Sequence, residues 1–321
     1  MNEMTNKSIH SVIRLDINLS EDIQLGDTDD YQLITRIGCG KYGVVFEAID
    51  VRKNKRCAIK VLKPVIMDKV SREVTILRHL CGGPNIISLK DVIMNCKIPS
   101  LVFPFVAKET LRDILTTLDD TESRLYLFKI IKAIDYCHQQ GVMHRDIKPS
   151  NVVIDRQRQL LRLIDFGLAD FYTTDKSYSV AVASRYYKPP ELLLNYPKYD
   201  YSMDMWSFGC VMAAVIFKKD PFLAGLDNLD QLMRIVSVLG NQCLKNYIRK
   251  YKLNPLPQLI QILESNIKCR QWFEFVNEGN NQLATDLAID LVDKLMIFDH
   301  KHRLTANECK QHPYFGPYLG K

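Results

Sequence analysis

No stretch of the sequence approaches the roughly eighteen consecutive apolar residues that a membrane-spanning helix needs, so no span is expected. The nine cysteines contain no CxxC pair and no regular spacing. That argues against a zinc site, and an odd, scattered set suits free thiols in a reducing compartment better than a disulfide frame. An excess of one charge is also missing: 43 Lys and Arg against 37 Asp and Glu give a formal charge of +6. Such a field favours acidic or phosphate-bearing ligands but is too mild to imply a DNA-binding surface. There are no repeats and no low-complexity segments. The first residues, MNEMTNKSIHSVIRLDINLSED, lack the apolar centre of a secretory signal. A nuclear or cytoplasmic protein, or one in both places, is expected, with neither nucleic acid nor membrane among its partners.

What is present is ordinary for a folded chain: 321 residues, 47% hydrophobic and 25% charged, enough for a large core or two lobes. After a polar leader, YQLITRIG, VVFEAID and RCAIKVL alternate apolar runs with Gly or Lys-Asn turns, the pattern of antiparallel strands. VSREVTILRHL (70–80) carries apolar residues at helical spacing. ISLKDVIM and SLVFPFV read as two further strands. Past Val106 the texture turns helical. TESRLYLFKIIKAIDYCHQQG is a long amphipathic helix closed by Gly141, and MDMWSFGCVMAAVIF (203–217) is apolar nearly all round, the mark of a buried helix. DNLDQLMRIVSVLG and LATDLAIDLVDKLM are helices as well. The fold class expected is α+β, a small β-rich lobe with one helix before a larger helical lobe, with a ligand cleft between them.

Five motifs fall in order along this frame. IGCGKYGVV places Gly38, Gly40 and Gly43 in a turn that can lie close to a polyphosphate and aim backbone N–H groups at it. A strand follows that turn, which disfavours a dinucleotide-binding βαβ unit. Lys60, in the strand-like CAIK, is expensive to bury unless it meets an anion, and Glu73 on the predicted helix can pair with it. HRDIKPSN offers Asp146 to a hydroxyl substrate, Lys148 to a transferring phosphoryl group and Asn151 as a hard oxygen ligand. LIDFG puts Asp165 at a strand end before a glycine, placed to hold magnesium. PPE (189–191) then precedes the buried helix. Each alone also fits a plain turn or a solvated charge; their conjunction does not.

The set resembles that of the eukaryotic protein kinases over about residues 31 to 315. The resemblance implies an N-terminal segment (1–30), a small lobe (31–103), a hinge (104–107) and a large lobe (108–315). DDYQL, GKYGVVFEAI, VLKPV, GGPNII, DYCHQQGVMHRDIKPSNVVID, LRLIDFGLADFY, VASRYYKPPELLLNYPKYDYSMDMWS and DHKHRLTANECKQHPYF are similar to the catalytic (alpha) subunits of casein kinase II. That closer resemblance implies transfer from ATP, with GTP as an alternative, to Ser or Thr followed by acidic residues, without prior activation. Asp146 would orient the hydroxyl and accept its proton. Lys60, braced by Glu73, would hold the α and β phosphates, and Asn151 and Asp165 would hold magnesium. The loop from Ile37 through Gly38, Cys39, Gly40, Lys41, Tyr42, Gly43 and Val44 to Val45 would cover the nucleotide. Pro104 and Val106 would meet the adenine edge, with Phe103, Ala58, Val45, Val153 and Ile164 around the base. Leu33 and Phe46 fall where that family docks a regulatory beta subunit.

The sequence also departs from that pattern. The family's lysine run after VLKPV is IMDKVSRE here, leaving Lys69 and Arg72, and its activation-segment arginine is Ala181, although Arg185 and Lys188 remain. An acidic preference is therefore expected to survive in weakened form. Phe166 stands where the family has a tryptophan, and the leader is a poor match, which loosens the case for constitutive activity. A proline-directed kinase switched on by phosphorylation, and a catalytically dead scaffold, are the alternatives.

Overall fold

The computed structural model describes residues 23–40, 43–63, 67–254 and 257–319. Lys41, Tyr42 and residues 1–22 of the leader lie outside the described residues. The β-branched, turn-punctuated region forms one antiparallel sheet of β1 (Tyr31–Cys39), β2 (Gly43–Asp50), β3 (Lys55–Leu62), β4 (Asp91–Asn95) and β5 (Ile98–Pro104). Its spatial order is β1-β2-β3-β5-β4. Strand parity assigns the faces. Val45, Ala58 and Lys60 line the cleft, whereas Ala48, Cys57 and Ile59 join a small separate core with Ile93 and Val102. Helix α1 (Met67–His79) buries Val70, Val74, Ile76 and Leu77 in the main core.

The strand expected from Ile87 begins only at Asp91. Ile86 bridges Leu163 and Ile87 N donates to Leu163 O at 3.1 Å, so this segment is spent joining the sheet to the helical lobe.

The large lobe follows with α2 (Leu111–Ile114), α3 (Asp120–Gln139), β6 (Val142–Met143), β7 (Val152–Asp155), β8 (Leu160–Leu163) and β9 (Asp170–Phe171). Then come α4 (Pro190–Leu193), α5 (Ser202–Ile216), α6 (Asn228–Leu239), α7 (Asn241–Tyr251), α8 (Ile260–Glu264), α9 (Asp286–Leu295) and α10 (Ala306–Lys310). Asp119 caps α3 by accepting from Glu122 N, and Gly141, at φ 76°, ends the turn beyond it, as the sequence implies. From Met203 onward every residue of α5 is buried, so it is the post around which the lobe packs. The antiparallel pair β6–β9 and the hairpin β7–β8 carry the polar loops to the cleft floor.

One ion pair locks this lobe. Glu191 and Arg303 are both fully buried side chains, joined by two parallel bonds of 2.7 Å. Arg303 donates its remaining N–H groups to Ile297 O, Ser202 O and Phe298 O, so all five donors are used. Removing one partner strands a buried charge. Glu191→Ala is expected to lower unfolding stability by about 3–5 kcal/mol, read from urea midpoints. A loss under about 1 kcal/mol would mean the pair is dispensable.

Candidate active site

Lys60 enters the cleft from the middle of β3, where a neutral partner would leave its burial unfavourable. Its Nζ stands 2.8 Å from Glu73 Oε1 on α1 and 2.8 Å from Asp165 Oδ1 just beyond β8. Burial pushes the ammonium down, but the charges of Glu73 and Asp165 outweigh it and raise its pKa, so Lys60 stays cationic. Burial raises Glu73, whereas at Asp165 burial is outweighed by Lys60, which holds that carboxyl below its ordinary value. Gly167 makes the cluster fit: a Cβ there would stand 3.2 Å from Glu73 Oε2 and 3.4 Å from Asp165 Oδ1. At Gly38 and Gly40, by contrast, a Cβ would meet nothing nearer than 3.6 Å. Packing against the described residues does not demand glycine there, and a backbone free of side chains leaves room for a ligand to come close.

The catalytic-loop residues are set from below by α5. Asp204, wholly buried, accepts from His144 N and Arg145 N at 2.8 Å each, and lies 3.0 Å from His138 Nε2. Burial alone would raise its pKa; the bond from His138 and the charges around it win and lower it. These bonds hold Arg145 in the left-handed region at φ 66°, a conformation that costs about 1–3 kcal/mol and persists only when over-determined. Asp165 and Ala183 share it, at 63° and 64°. Asp146 is consequently fixed on the floor. Its Oδ1 accepts from Ser184 N at 2.8 Å, and its Oδ2 from Lys148 Nζ at 2.7 Å and Asn151 Nδ2 at 3.2 Å. Lys148 Nζ also donates to Ser184 Oγ at 2.8 Å. Burial holds His144 neutral: its Nδ1 accepts from Asp146 N, which leaves the Nε2 proton for Ile164 O.

One cleft of about 490 Å³ collects most of the expected residues. Ile37, Gly38, Cys39, Gly40, Gly43 and Val45 form its roof, and Ala58, Phe103, Val153 and Ile164 form apolar walls. Pro104 and Val106 stand at the back, with Lys60, Glu73, Asp146, Lys148, Asn151 and Asp165 along the polar side. Val44 is a correction. It alternates with Val45 along β2 and so turns away from the cleft. Sequence reasoning missed Ile87, Phe105, Lys108 and Ser150, which also line it. It missed Asp204 and Arg303 too, which lie far along the chain from what they hold.

The four cations expected to read acidic substrates are not equivalent. Lys69 is exposed, but Arg72 Nη1 lies 3.3 Å from Asp170 Oδ2. Arg185 donates to Leu226 O, and Lys188, buried at 6% exposure, donates to Val180 O at 3.3 Å. Asp170 gathers cations instead: Arg72 from α1, Arg145 Nη2 at 3.2 Å and Lys176 Nζ at 3.7 Å. Arg145 Nε further donates to Leu168 O at 2.6 Å and its Nη1 to Tyr199 Oη at 3.2 Å, and Tyr199 Oη donates to Ser179 O at 2.7 Å.

A hard cation suits this set. Asn151 donates through its amide nitrogen to Asp146 O at 2.9 Å, which leaves its side-chain oxygen as a ligand beside Asp165. Among the described residues no group of three or more His, Cys, Asp or Glu could hold a metal. A magnesium ion held by Asn151 and Asp165 would take its remaining ligands from phosphate and water.

Residues 31–315, most of the chain, match the family model described as protein kinase domain. A change at the central cation should be visible without any assay of turnover. With Lys60→Met, the buried Glu73 and the half-buried Asp165 are left as neighbouring carboxylates without their shared cation, and their pKa values should rise. A raised carboxyl contributes stability that is present at low pH and lost as pH climbs through the folded value. The variant should therefore lose on the order of 1 kcal/mol more than the parent between pH 5 and 8 in urea unfolding. Parallel profiles would refute the coupling.

Proposed function

The chain belongs to the protein kinase family, and from that premise we propose that it is a serine/threonine kinase of casein kinase II type with a weakened acidic preference and no need for prior activation. The observation that carries the reading is Asp146, a carboxylate fixed by Ser184, Lys148 and Asn151 on the floor of the cleft that Lys60 and Asp165 enter. Kinases of this fold use ATP and Mg2+. Asn151 and Asp165 would hold the metal, which when bound neutralises the phosphate charge that develops during transfer. The chain's own residues supply the rest. Asp146 orients the acceptor hydroxyl and takes its proton, and Lys148 places positive charge beside the oxygens of the moving phosphoryl group. Lys60, kept cationic by Glu73, holds the phosphates that stay behind. Leu33 is exposed and lies opposite Ala48, on the sheet face that carries Phe46, which supports this face as the docking surface of a regulatory subunit.

The weakened preference follows from the cations. With Lys188 buried and Arg72 and Arg185 each giving an N–H group to a partner within the protein, an acidic substrate gains from few wholly unengaged cations, each exposed pair worth about 0.2–1 kcal/mol. A Ser peptide with Asp and Glu after the acceptor is expected to exceed a neutral one in kcat/KM by no more than about tenfold, and less at high salt. Equal turnover would refute the acidic preference, and faster turnover of a Ser-Pro peptide would favour the proline-directed alternative.

Constitutive activity is supported by Asp170. Kinases that need activation order this segment by pairing a phosphate with arginines. Here a carboxylate of the chain already sits among Arg72, Arg145 and Lys176. Tyr178, buried, bonds back through its hydroxyl to Phe171 O at 3.1 Å. Protein from a bacterial host without such kinases is expected to be active. Asp170→Asn should lower kcat about tenfold, equivalent to about 1.4 kcal/mol, with a smaller change in KM. An inactive product restored by phosphorylation at Thr173, Thr174, Ser177 or Ser179 would overturn this reading.

A further inference from the structure

The loop before α6 presents one large apolar side chain to solvent. Leu226 is 82% exposed, the highest value among the exposed large hydrophobic side chains of the described residues. A lone exposed leucine is ordinary. The way its backbone is held is not. Leu226 N donates to Asp230 Oδ2 at 2.8 Å, and its carbonyl accepts from Arg185 Nη1. One residue earlier, Gly225 N donates to Gln231 Oε1 at 2.8 Å, and the same amide donates from Nε2 to Tyr186 O at 3.3 Å. Gln231 is 1% exposed, so its amide is a buried clamp that ties the turn around Tyr186 to this loop. Gly225 runs so close to α6 that a Cβ would stand 2.4 Å from Gln231 Cα. Tyr186, 36% exposed, adds apolar surface on the other side of the clamp.

The loop's place relative to the chemistry follows from two neighbouring residues. Ser184 N donates to Asp146 Oδ1, and Arg185, the next residue, holds Leu226 O. Leu226 thus stands one side chain beyond the group that fixes Asp146. An extended peptide advances about 3.3 Å per residue, so one presenting its hydroxyl to Asp146 covers that gap with about two to four residues. The acids nearby are already occupied: Asp227 Oδ1 accepts from Asp230 N at 2.8 Å, and Asp230 pairs with Arg234 at 3.4 Å. A backbone fixed in advance need not be ordered on binding, which lowers the cost of a selective contact.

We propose that Leu226, with Tyr186 beside it, is a specificity-determining contact that takes an apolar side chain of the protein substrate two to four residues from the acceptor Ser or Thr. The inference rests on the reading of Asp146 as the residue that orients the acceptor. It is tested with a set of single-Ser peptides, Ala-based with fixed acidic residues, in which one Leu is moved from four positions before the acceptor to four after it. At one position Leu should raise kcat/KM over Ala by about five- to tenfold, mainly through KM. That ratio should fall to about one in Leu226→Ala and persist in Leu226→Met. In Leu226→Glu the preference at the same position should pass to Lys or Arg. If no position responds while the Ala peptides are phosphorylated, the contact is refuted and the reading of Asp146 stands. A Leu preference that survives in both Leu226→Ala and Leu226→Glu refutes it equally. If no peptide in the set is phosphorylated with ATP and Mg2+, the reading of Asp146 falls and this inference falls with it.

Discussion

The cleft depends on a single ammonium group. Lys60 comes from the sheet, Glu73 from α1 and Asp165 from the segment after β8, and the three meet within 2.8 Å contacts. A lysine buried alone would deprotonate or unfold its surroundings. The position of α1 against the sheet and the position of the helical lobe below it are therefore tied to the same charge. The two carboxylates do different work. Glu73 is more buried than the cation and keeps it charged and aimed, whereas Asp165 keeps 30% side-chain exposure toward the cleft. Were Asp165 to hold a metal ion, Lys60 would need other negative charge beside it, which nucleotide phosphates would supply.

Below the cleft a second constraint holds the floor. Asp204 rises from a helix with no solvent-facing side, and its two oxygens receive consecutive backbone N–H groups at His144 and Arg145. The strain of a left-handed arginine is offset there, and the reward is direction. Asp146 then faces up, while the Arg145 guanidinium runs sideways to Leu168, Asp170 and Tyr199. The catalytic loop and the activation segment are consequently one hydrogen-bonded unit, with Ser184 closing it from the other end.

How much of this was legible in the sequence depended on range. The strands of the small lobe and the long helices declare themselves through periods of two and 3.6 and through Gly and Pro punctuation, which are local signals. Lys60, Asp146, Asn151 and Asp165 were legible because short motifs carry them. Strand parity was readable as well, and Val44 is the place where it was ignored. Glu191 with Arg303, Asp204 with His144, and Asp170 with Arg72 were not legible. Each joins positions roughly sixty or more residues apart, and only the folded path of the chain makes them neighbours. The expected strand at Ile87 failed for the same reason, since its hydrogen bonds go to a distant hairpin rather than along the sheet.

The same distinction decides what the charges mean. A formal excess of +6 and the cations Lys69, Arg72, Arg185 and Lys188 suggest affinity for acidic ligands, yet a cation selects only with the hydrogen bonds it has left. Arg72 is committed to Asp170, Arg185 to the carbonyl of Leu226, and Lys188 lies buried against Val180. Lys188 would first have to leave the carbonyl of Val180, whereas Arg72 and Arg185, with five N–H donors each, spend only part of theirs in these contacts. A selective contact is best made by a group whose backbone is fixed and whose side chain is unspent. Lys69 on α1 and Leu226 before α6 are exposed side chains of that kind, one polar and one apolar.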